Sequence, residues 1–416
     1  MNNKNEISEE QPFETKPPTD SSWKLFRRFL RFGFLAWGGP VAQIDMIRQE
    51  IVEEERWITR GHFRKLLAVY QVLPGPEAHE LCVHFGMLAR GRRGGVLAGL
   101  GFMLPGFCLM FLLSWLYLSF GLADTLFQAA FRGIQPAVIA LIFRACHRIG
   151  KHTVTNRSLW IIAILVGVAD MLGVTFWITL PLGGLSYVLC SQKKYVFAGA
   201  IGAVFLAASI VFSPTLKEQK RTAPAPQSAE VQNSLNRDVK KASPGHLFVS
   251  GLKSGLLTFG GAYTVIPFLE RDAVDTGQWM TTKDFLDGLA LSSMLPAPLI
   301  IFSTFVGYFG GGAVGALAMT LGIFLPAFCF SLLLYRQLEA LIENPTLNHF
   351  LSGVTAGVVG LIVATLIALA RTAITDWRTL FIFSLALPVL YWSKSKAAIP
   401  LLIITAGIVG LLFFRQ

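Results

Sequence analysis

Four titratable side chains, Glu77, His79, Glu80 and His84, fall within one short and otherwise largely apolar stretch. A carboxylate and an imidazole in such a setting can exchange a proton or hold a cationic side chain. Glu77, Glu80 and His84 recur at i, i+3 and i+7, which places them on one face if the stretch is helical. An ionisable group inside a membrane segment costs about 2.5–3.5 kcal/mol on insertion scales, so the groups kept there mark a functional path. The alternative is that Pro76 ends the buried part and the helix opens onto an aqueous vestibule. No HExxH zinc motif, nucleophile motif or Walker phosphate loop accompanies these residues, so neither an enzyme, a metal centre nor a cofactor is expected. The five cysteines, Cys82, Cys108, Cys146, Cys190 and Cys329, show no CxxC and no paired spacing. They read as small hydrophobes rather than as a disulfide framework.

The residues that must position this group come just before it. Leu73-Pro74-Gly75-Pro76 removes two backbone donors two residues apart and splits a helix. Some 35 residues earlier, Gly38-Gly39-Pro40 interrupts the apolar run Phe29–Trp37. Both interruptions recur: Gly260-Gly261 ends Leu252–Phe259, and Leu295-Pro296-Ala297-Pro298 follows at the same spacing. Unwound backbone at membrane depth is tolerated only when buried in protein or lining a wet cavity. A helix starting just after such a break turns unpaired N–H groups and its positive dipole end inward, which suits an anion. The candidate ligand-binding set is therefore Gly38, Gly39, Pro40, Gln43, Pro74, Gly75 and Pro76, with Gly260, Gly261, Pro296, Ala297 and Pro298. Glu77, His79, Glu80 and His84 are the candidates for proton or charge handling.

These motifs belong to an internal repeat. Gly38-Gly39 falls on Gly260-Gly261 at an offset of 222 residues. In the same register Gly33 meets Gly255, Glu50 and Glu53 meet Asp272 and Asp275, Trp57 meets Trp279, and Thr59 meets Thr281. Phe63, Leu67-Ala68 and Pro74-x-Pro76 follow on Phe285, Leu289-Ala290 and Pro296-x-Pro298. After the loss of one residue, Gly101-Phe-Met-Leu-Pro105 aligns with Gly322-Ile-Phe-Leu-Pro326. Two glycines, a tryptophan and three prolines in one register point to duplication. After each Gly-Gly break, Ile44, Ile47 and Ile51 give the next segment a greasy face, Trp57 and Trp279 read as interfacial anchors, and Thr59 and Thr281 as helix N-caps.

The chain has 416 residues, 53% of them hydrophobic and only 15% charged, and a mean hydropathy of +0.55. Its apolar runs approach or exceed the roughly 20 residues that cross a bilayer as a helix: Val96–Leu118, Leu159–Gly173, Tyr195–Phe212, Val314–Tyr335, Phe350–Ala370 and Ala398–Phe414. Shorter runs, Phe176–Leu189 and Thr379–Trp392, leave the span number between about 10 and 13. The net charge of +11 sits in short clusters between apolar runs, Arg144/His147/Arg148/Lys151 among them, as the positive-inside rule describes for cytoplasmic loops, and not in a nucleic-acid patch. The fold class is an all-α polytopic membrane protein, made of two homologous halves with broken helices. The basic connection 89–95 aligns with the uncharged 310–313, which places equivalent loops on opposite sides and makes the halves an inverted-topology repeat. Residues 1–22 read as a disordered cytoplasmic tail, 23–212 as the first repeat, 213–245 as a flexible linker and 246–416 as the second repeat.

At these motifs the sequence resembles the chromate ion transporter family of the two-domain, long-chain type. The resemblance is densest at Phe-Leu-Ala-Trp-Gly-Gly-Pro (34–40), Leu-Pro-Gly-Pro (73–76), Leu-Thr-Phe-Gly-Gly (257–261), Phe-Leu-Asp-Gly-Leu-Ala-Leu (285–291) and Thr-Phe-Val-Gly-Tyr (304–308). It implies a multi-pass protein of the bacterial inner membrane that moves chromate, with sulfate as chemical competitor, and it implies that the Gly-Gly and Pro-x-Pro elements form its site. The partners expected are a small inorganic anion and the lipid bilayer, with a homodimer as candidate assembly. The chain departs from the family pattern at Ala297, where Gly is usual, and at Glu80, where Gln is common. Those departures keep a second class open: a transporter of another anion or small solute, proton-coupled through the first-half carboxylates.

Overall fold

The structure is a computed structural model that describes residues 15, 20–37, 39–121, 125–194, 197, 241–259, 261–333, 344–393, 395 and 397–414. Gly38, Gly260, the run Tyr195–Phe212 except for residue 197, and most of the expected tail and linker lie outside the described residues. The first half comprises α1 (Ser22–Phe34), α2 (Gly39–Ile47), α3 (Arg60–Val72), α4 (Glu77–Leu116), α5 (Thr125–Thr153), α6 (Arg157–Met171) and α7 (Phe176–Ser191). The second comprises α8 (Pro244–Leu256), α9 (Ile266–Glu270), α10 (Thr282–Ser293), α11 (Phe302–Leu333), α12 (Pro345–Ala373), α13 (Trp377–Trp392) and α14 (Ala398–Phe414). Among the described residues, four segments have the length and apolar character to cross a bilayer: Glu77–Phe120, Thr125–Thr153, Leu299–Leu333 and Pro345–Ala373.

The duplication seen in the sequence is a duplication of backbone. Helices α1 and α8 begin and end 222 residues apart, and α5 and α12 begin and end 220 apart. Helix α4 folds back on itself at Arg90 (φ −145, ψ 30) and Gly91 (φ 59, ψ −154), and α11 does the same at Gly311 (φ −153, ψ 21) and Gly312 (φ 61, ψ −150). The left-handed second residue of each tip is glycine because only glycine takes that conformation without strain. Both α2 and α9 run on into a π-helical turn, Arg48–Glu54 and Arg271–Thr276. The expected N-caps are present: the Thr59 side chain accepts from the His62 N–H, and Thr281 forms a capping box with Asp284.

Small residues let these helices pack backbone to backbone, the main route to association where lipid is as apolar as leucine. A β-carbon on Gly101 would meet the Phe26 carbonyl of α1 at 2.9 Å, and one on Gly322 would meet the Phe248 carbonyl of α8 at 2.3 Å. The halves then exchange elements. Helices α6 and α7 of the first half pack on α12, while α13 and α14 of the second pack on α5. Gly353 of α12 lies against Gly183 and Gly184 of α7, and Gly133 of α5 against Ala406 and Gly410 of α14. A pseudo-two-fold relation thus runs between α4–α5 and α11–α12. Val96, Leu100 and Leu104 on α4 are exposed, as are their counterparts Leu317, Leu321 and Leu325 on α11, an apolar stripe suited to lipid.

The tryptophans correct one expectation. Trp57 and Trp279 are 6% and 1% exposed, so they are core residues, not interfacial anchors. Trp57 donates to Glu55 and lies under the Arg28 guanidinium. Here each half also carries an equivalent polar lock. Arg28 and Arg31 of α1 pair with Glu50, and in the second half Ser250 and Lys253 of α8 bond Asp272. Asp20, assigned to the tail from sequence, is buried; it pairs with Lys24 and Arg28, and its carbonyl accepts from Arg90 at the α4 tip.

Candidate functional site

All the breaks expected from sequence exist. Helix α1 stops at Phe34 and α2 starts at Gly39, while α8 stops at Leu256 and a short 3-10 turn starts at Ala262. The chain between α3 and α4, residues 73–76, is extended, with Leu73 at ψ 155 and Pro76 at ψ 101. Gly39 and Gly261 take positive φ (79 and 117), and a β-carbon on either would meet nothing within 4 Å. These glycines serve backbone conformation rather than close packing. Gln43, fully buried on α2, donates back to the Ala36 carbonyl at 3.0 Å and so satisfies an acceptor that the break releases.

Each Pro-x-Pro segment meets the other half. The Gly75 N–H donates to the carbonyl of Thr258, just before the second Gly-Gly break, at 2.8 Å. A β-carbon on Gly75 would lie 3.4 Å from Ala327 of α11, and one on Gly106 of α4 would lie 2.6 Å from the Ala297 methyl. Gly106 and Ala327 are equivalent positions in the repeat, so the two arrangements are pseudo-symmetric. The Ala297 departure is thereby compensated: the methyl present at 297 faces a glycine, whereas Gly75 faces an alanine.

A small cavity of about 30 Å³ lies where the first Gly-Gly break meets the second Pro-x-Pro break. Trp37 and Gly39 line it from the first half, Tyr263, Ser292, Ser293, Leu295, Ala297 and Leu299 from the second, and Leu141 of α5 with Ile399 and Pro400 of α14 complete it. The first turns of α2 and α14 therefore both reach this cavity, together with the helical segment that begins at Leu299. A helix start leaves N–H groups without intrahelical partners and carries the positive end of the helix dipole. The lining is otherwise apolar with three hydroxyl groups.

The four titratable groups divide. Glu80 is 0% exposed, packs against Gly75 (its Oε1 would lie 2.8 Å from a β-carbon there), and neither carboxyl oxygen has a hydrogen-bond partner. Glu77, at the first turn of α4, is half-buried and within Coulombic range of Arg148. His79 instead wedges between α4 and α11, its ring 4.9 Å from Phe324 and 4.8 Å from Phe328. His84 lies 3.0 Å from the Tyr70 hydroxyl through Nδ1. Glu77, Glu80 and His84 lie in the regular first part of α4 at the expected spacing, and Tyr70 of α3 engages the imidazole. Pro74, Pro76, Pro296 and Pro298 shape the breaks; Pro40 opens α2 at its second residue.

Two features were not anticipated. Asp287 of α10 accepts from Gln135 at 2.7 Å and from the Tyr117 hydroxyl at 2.8 Å, a buried network that joins the halves. Its signal was an acidic residue inside the apolar motif 285–291. Arg144 and Arg148, counted with the loop charges, lie on helix α5, which continues to Thr153. Their spacing of four, in phase with Leu141 and Ala145, was the signal available.

The backbone is thus built twice and broken twice in each half. The chromate transporter family profile matches residues 23–191 and 245–411, one match per half. The chain is 55% identical to a chromate transport protein of Pseudomonas aeruginosa over 409 residues, covering 96% of this chain and 94% of that one. It is 28% identical to a chromate transport protein of Cupriavidus metallidurans over 400 residues, covering 95% and 94%. An uncharacterized transporter of Methanocaldococcus jannaschii shares 26% identity over 412 residues, covering 93% and 94%. No solved structure matches the chain. With a profile match in each half and this identity over nearly the full length, the chain is a multi-pass membrane protein that belongs to the chromate transporter family.

Proposed function

We propose that this protein is a secondary transporter that exports chromate, a sulfate-like dianion, across the inner membrane through the cavity between the first Gly-Gly and second Pro-x-Pro breaks. The observation that carries the reading is the meeting of breaks from different halves: Gly39 with Ala297 around one cavity, and Gly75 with Thr258 through a hydrogen bond. Broken helices at the interface of a repeat are the construction many transporters use to bind an ion at mid-membrane, and the pseudo-two-fold exchange supports halves of inverted topology. Expelling a dianion from a negative-inside cell is favoured by about 4.6 kcal/mol at 100 mV, at about 2.3 per charge, so the membrane potential suffices as driving force. The test is a chromate-sensitive host expressing the chain, with intracellular chromium measured. Accumulation equal to that of an empty vector, with the protein present in the membrane, rules out export.

One observation favours proton coupling as a second reading. A carboxyl group buried without a donor or cation is costly when ionised, and proton exchange relieves that cost; Glu80 is such a group. In proteoliposomes, E80Q should then flatten the dependence of transport on a pH gradient while leaving transport driven by potential. An unaltered pH dependence refutes this reading.

A further inference from the structure

We infer that Arg144 and Arg148 of α5 are the cationic ligands that match the two charges of the transported oxyanion, an assignment that rests on the cavity's being the transport site. Leu141 lines that cavity. At 3.6 residues per turn, Arg148 lies about 20° around α5 from Leu141 and Arg144 about 60°. At 1.5 Å per residue Arg144 and Arg148 stand about 4.5 Å and 10.5 Å further along the axis, respectively, so they form a ladder leading off the cavity. Tyr263, itself a lining residue, is within Coulombic range of both guanidinium groups.

The other half-buried arginines differ. Arg28, Arg132 and Arg271 are held in ion pairs with Asp20, Glu50, Glu55, Asp376 and Asp170, and Arg378 donates to the Phe413 carbonyl. Among the described residues, Arg144 and Arg148 have no hydrogen-bond or ion-pair partner, and Glu77 is the carboxylate within Coulombic range of Arg148. Half-buried guanidinium groups without a fixed acceptor, one and two turns from a cavity-lining residue, suit an oxyanion, which accepts the planar fork through two oxygens. The repeat sharpens the point. The positions equivalent to Arg144 and Arg148 are Ala364 and Ala368 on α12, so the pseudo-symmetric site carries this charge on one side alone. A topogenic role as loop charges would fix orientation only, and would not require both residues to follow the face of Leu141.

The test uses the full-length chain in liposomes, with chromate and sulfate uptake measured for wild type, R144Q, R148Q and the double variant, and K193Q as a charge control remote from the cavity. Each single substitution should raise KM about tenfold and the double about a hundredfold, as expected for charge-assisted hydrogen bonds, with a smaller effect on the rate at saturation; K193Q should match wild type. R144K and R148K keep charge and stem, and carry the test if a glutamine variant does not fold: KM should rise about threefold or more because the bidentate fork is lost. Wild-type transport with KM within twofold in all these variants overturns this assignment alone. A wild-type chain that moves no oxyanion overturns the reading of the cavity, and this one with it.

Discussion

A methyl group added at Gly106 tests whether the halves truly build one site. In the structure that methyl would stand 2.6 Å from the methyl of Ala297, whereas carbons in good contact lie about 3.5–4.0 Å apart. One side must therefore move by about 1 Å. Gly106 is on a packed helix, and Ala297 lies in the irregular Pro-x-Pro segment, so the displacement falls on the cavity wall. Overpacking of this kind costs about 1–3 kcal/mol, or roughly ten- to a hundredfold in an equilibrium governing the site. We expect G106A to slow chromate transport in everted vesicles about tenfold or more and to lower the melting temperature in detergent by a few degrees. Adding A297G to the same chain removes the opposing methyl and should restore both. The pseudo-symmetric experiment should behave differently. G75A meets the Glu80 carboxylate at 2.8 Å and places a side chain at φ +151, while Ala327 is at an ordinary 3.4 Å, so A327G should not rescue it. Wild-type behaviour of G106A, or failure of A297G to restore it while A297G alone is active, would refute the packing of the breaks across the halves.

Two further expectations concern the locks beneath the helical hairpins. Burial alone would raise the Asp20 pKa, but hydrogen bonds from Lys24 and Arg28 outweigh it and hold the group below its ordinary value of 3.8. A depressed carboxylate lends stability above its unfolded pKa and loses it as pH falls through the folded one. The melting difference between wild type and D20N should therefore be full at pH 6–8 and vanish as the pH falls below about 4; a difference that grew on acidification would contradict it. In the second half, D272N leaves Lys253 without its acceptor and weakens the bond from Ser250. The expected loss is about 1–3 kcal/mol, read as a lower midpoint of unfolding, and an unchanged midpoint would show that the lock contributes nothing.

The repeat was legible because glycine, proline and tryptophan at fixed spacing constrain the backbone more narrowly than apolar residues do. The register of 222 marks α1 and α8 to the residue, and Thr59 and Thr281 cap their helices as read. Where no such marker stands, sequence reasoning ran out. The shift to an offset of 220 in α5 and α12 passes through an interchangeable apolar run. Tryptophan at the end of a polar segment looks the same whether it meets lipid headgroups or a buried arginine, and only the position of Arg28 decides for Trp57. Arg144 and Arg148 were read as loop charges because they follow an apolar run, and periodicity does not say where a helix leaves the membrane. The exchange of α6–α7 and α13–α14 was beyond reach, since it depends on glycine faces meeting across long sequence separation.

The differences between the halves account for the one-sided cavity. By the repeat register, the junction of Gly39 with Ala297 has a counterpart between the second Gly-Gly break and Gly75, where the Gly75 N–H meets Thr258. The first is open; the second is bridged by the Gly75 N–H donating to Thr258 and packed by Glu80 against Gly75. Each substitution between the halves acts in that sense. Glycine at 75 permits the positive φ that aims its N–H at Thr258, and alanine at 297 does not favour it. Glu77 and Glu80 occupy the places of Leu299 and Phe302, so the polar start of α4 sits at the closed junction while the apolar start of the second-half helix lines the open one. A shared backbone plan gives two equivalent junctions, and a handful of side chains decides which of them stays open.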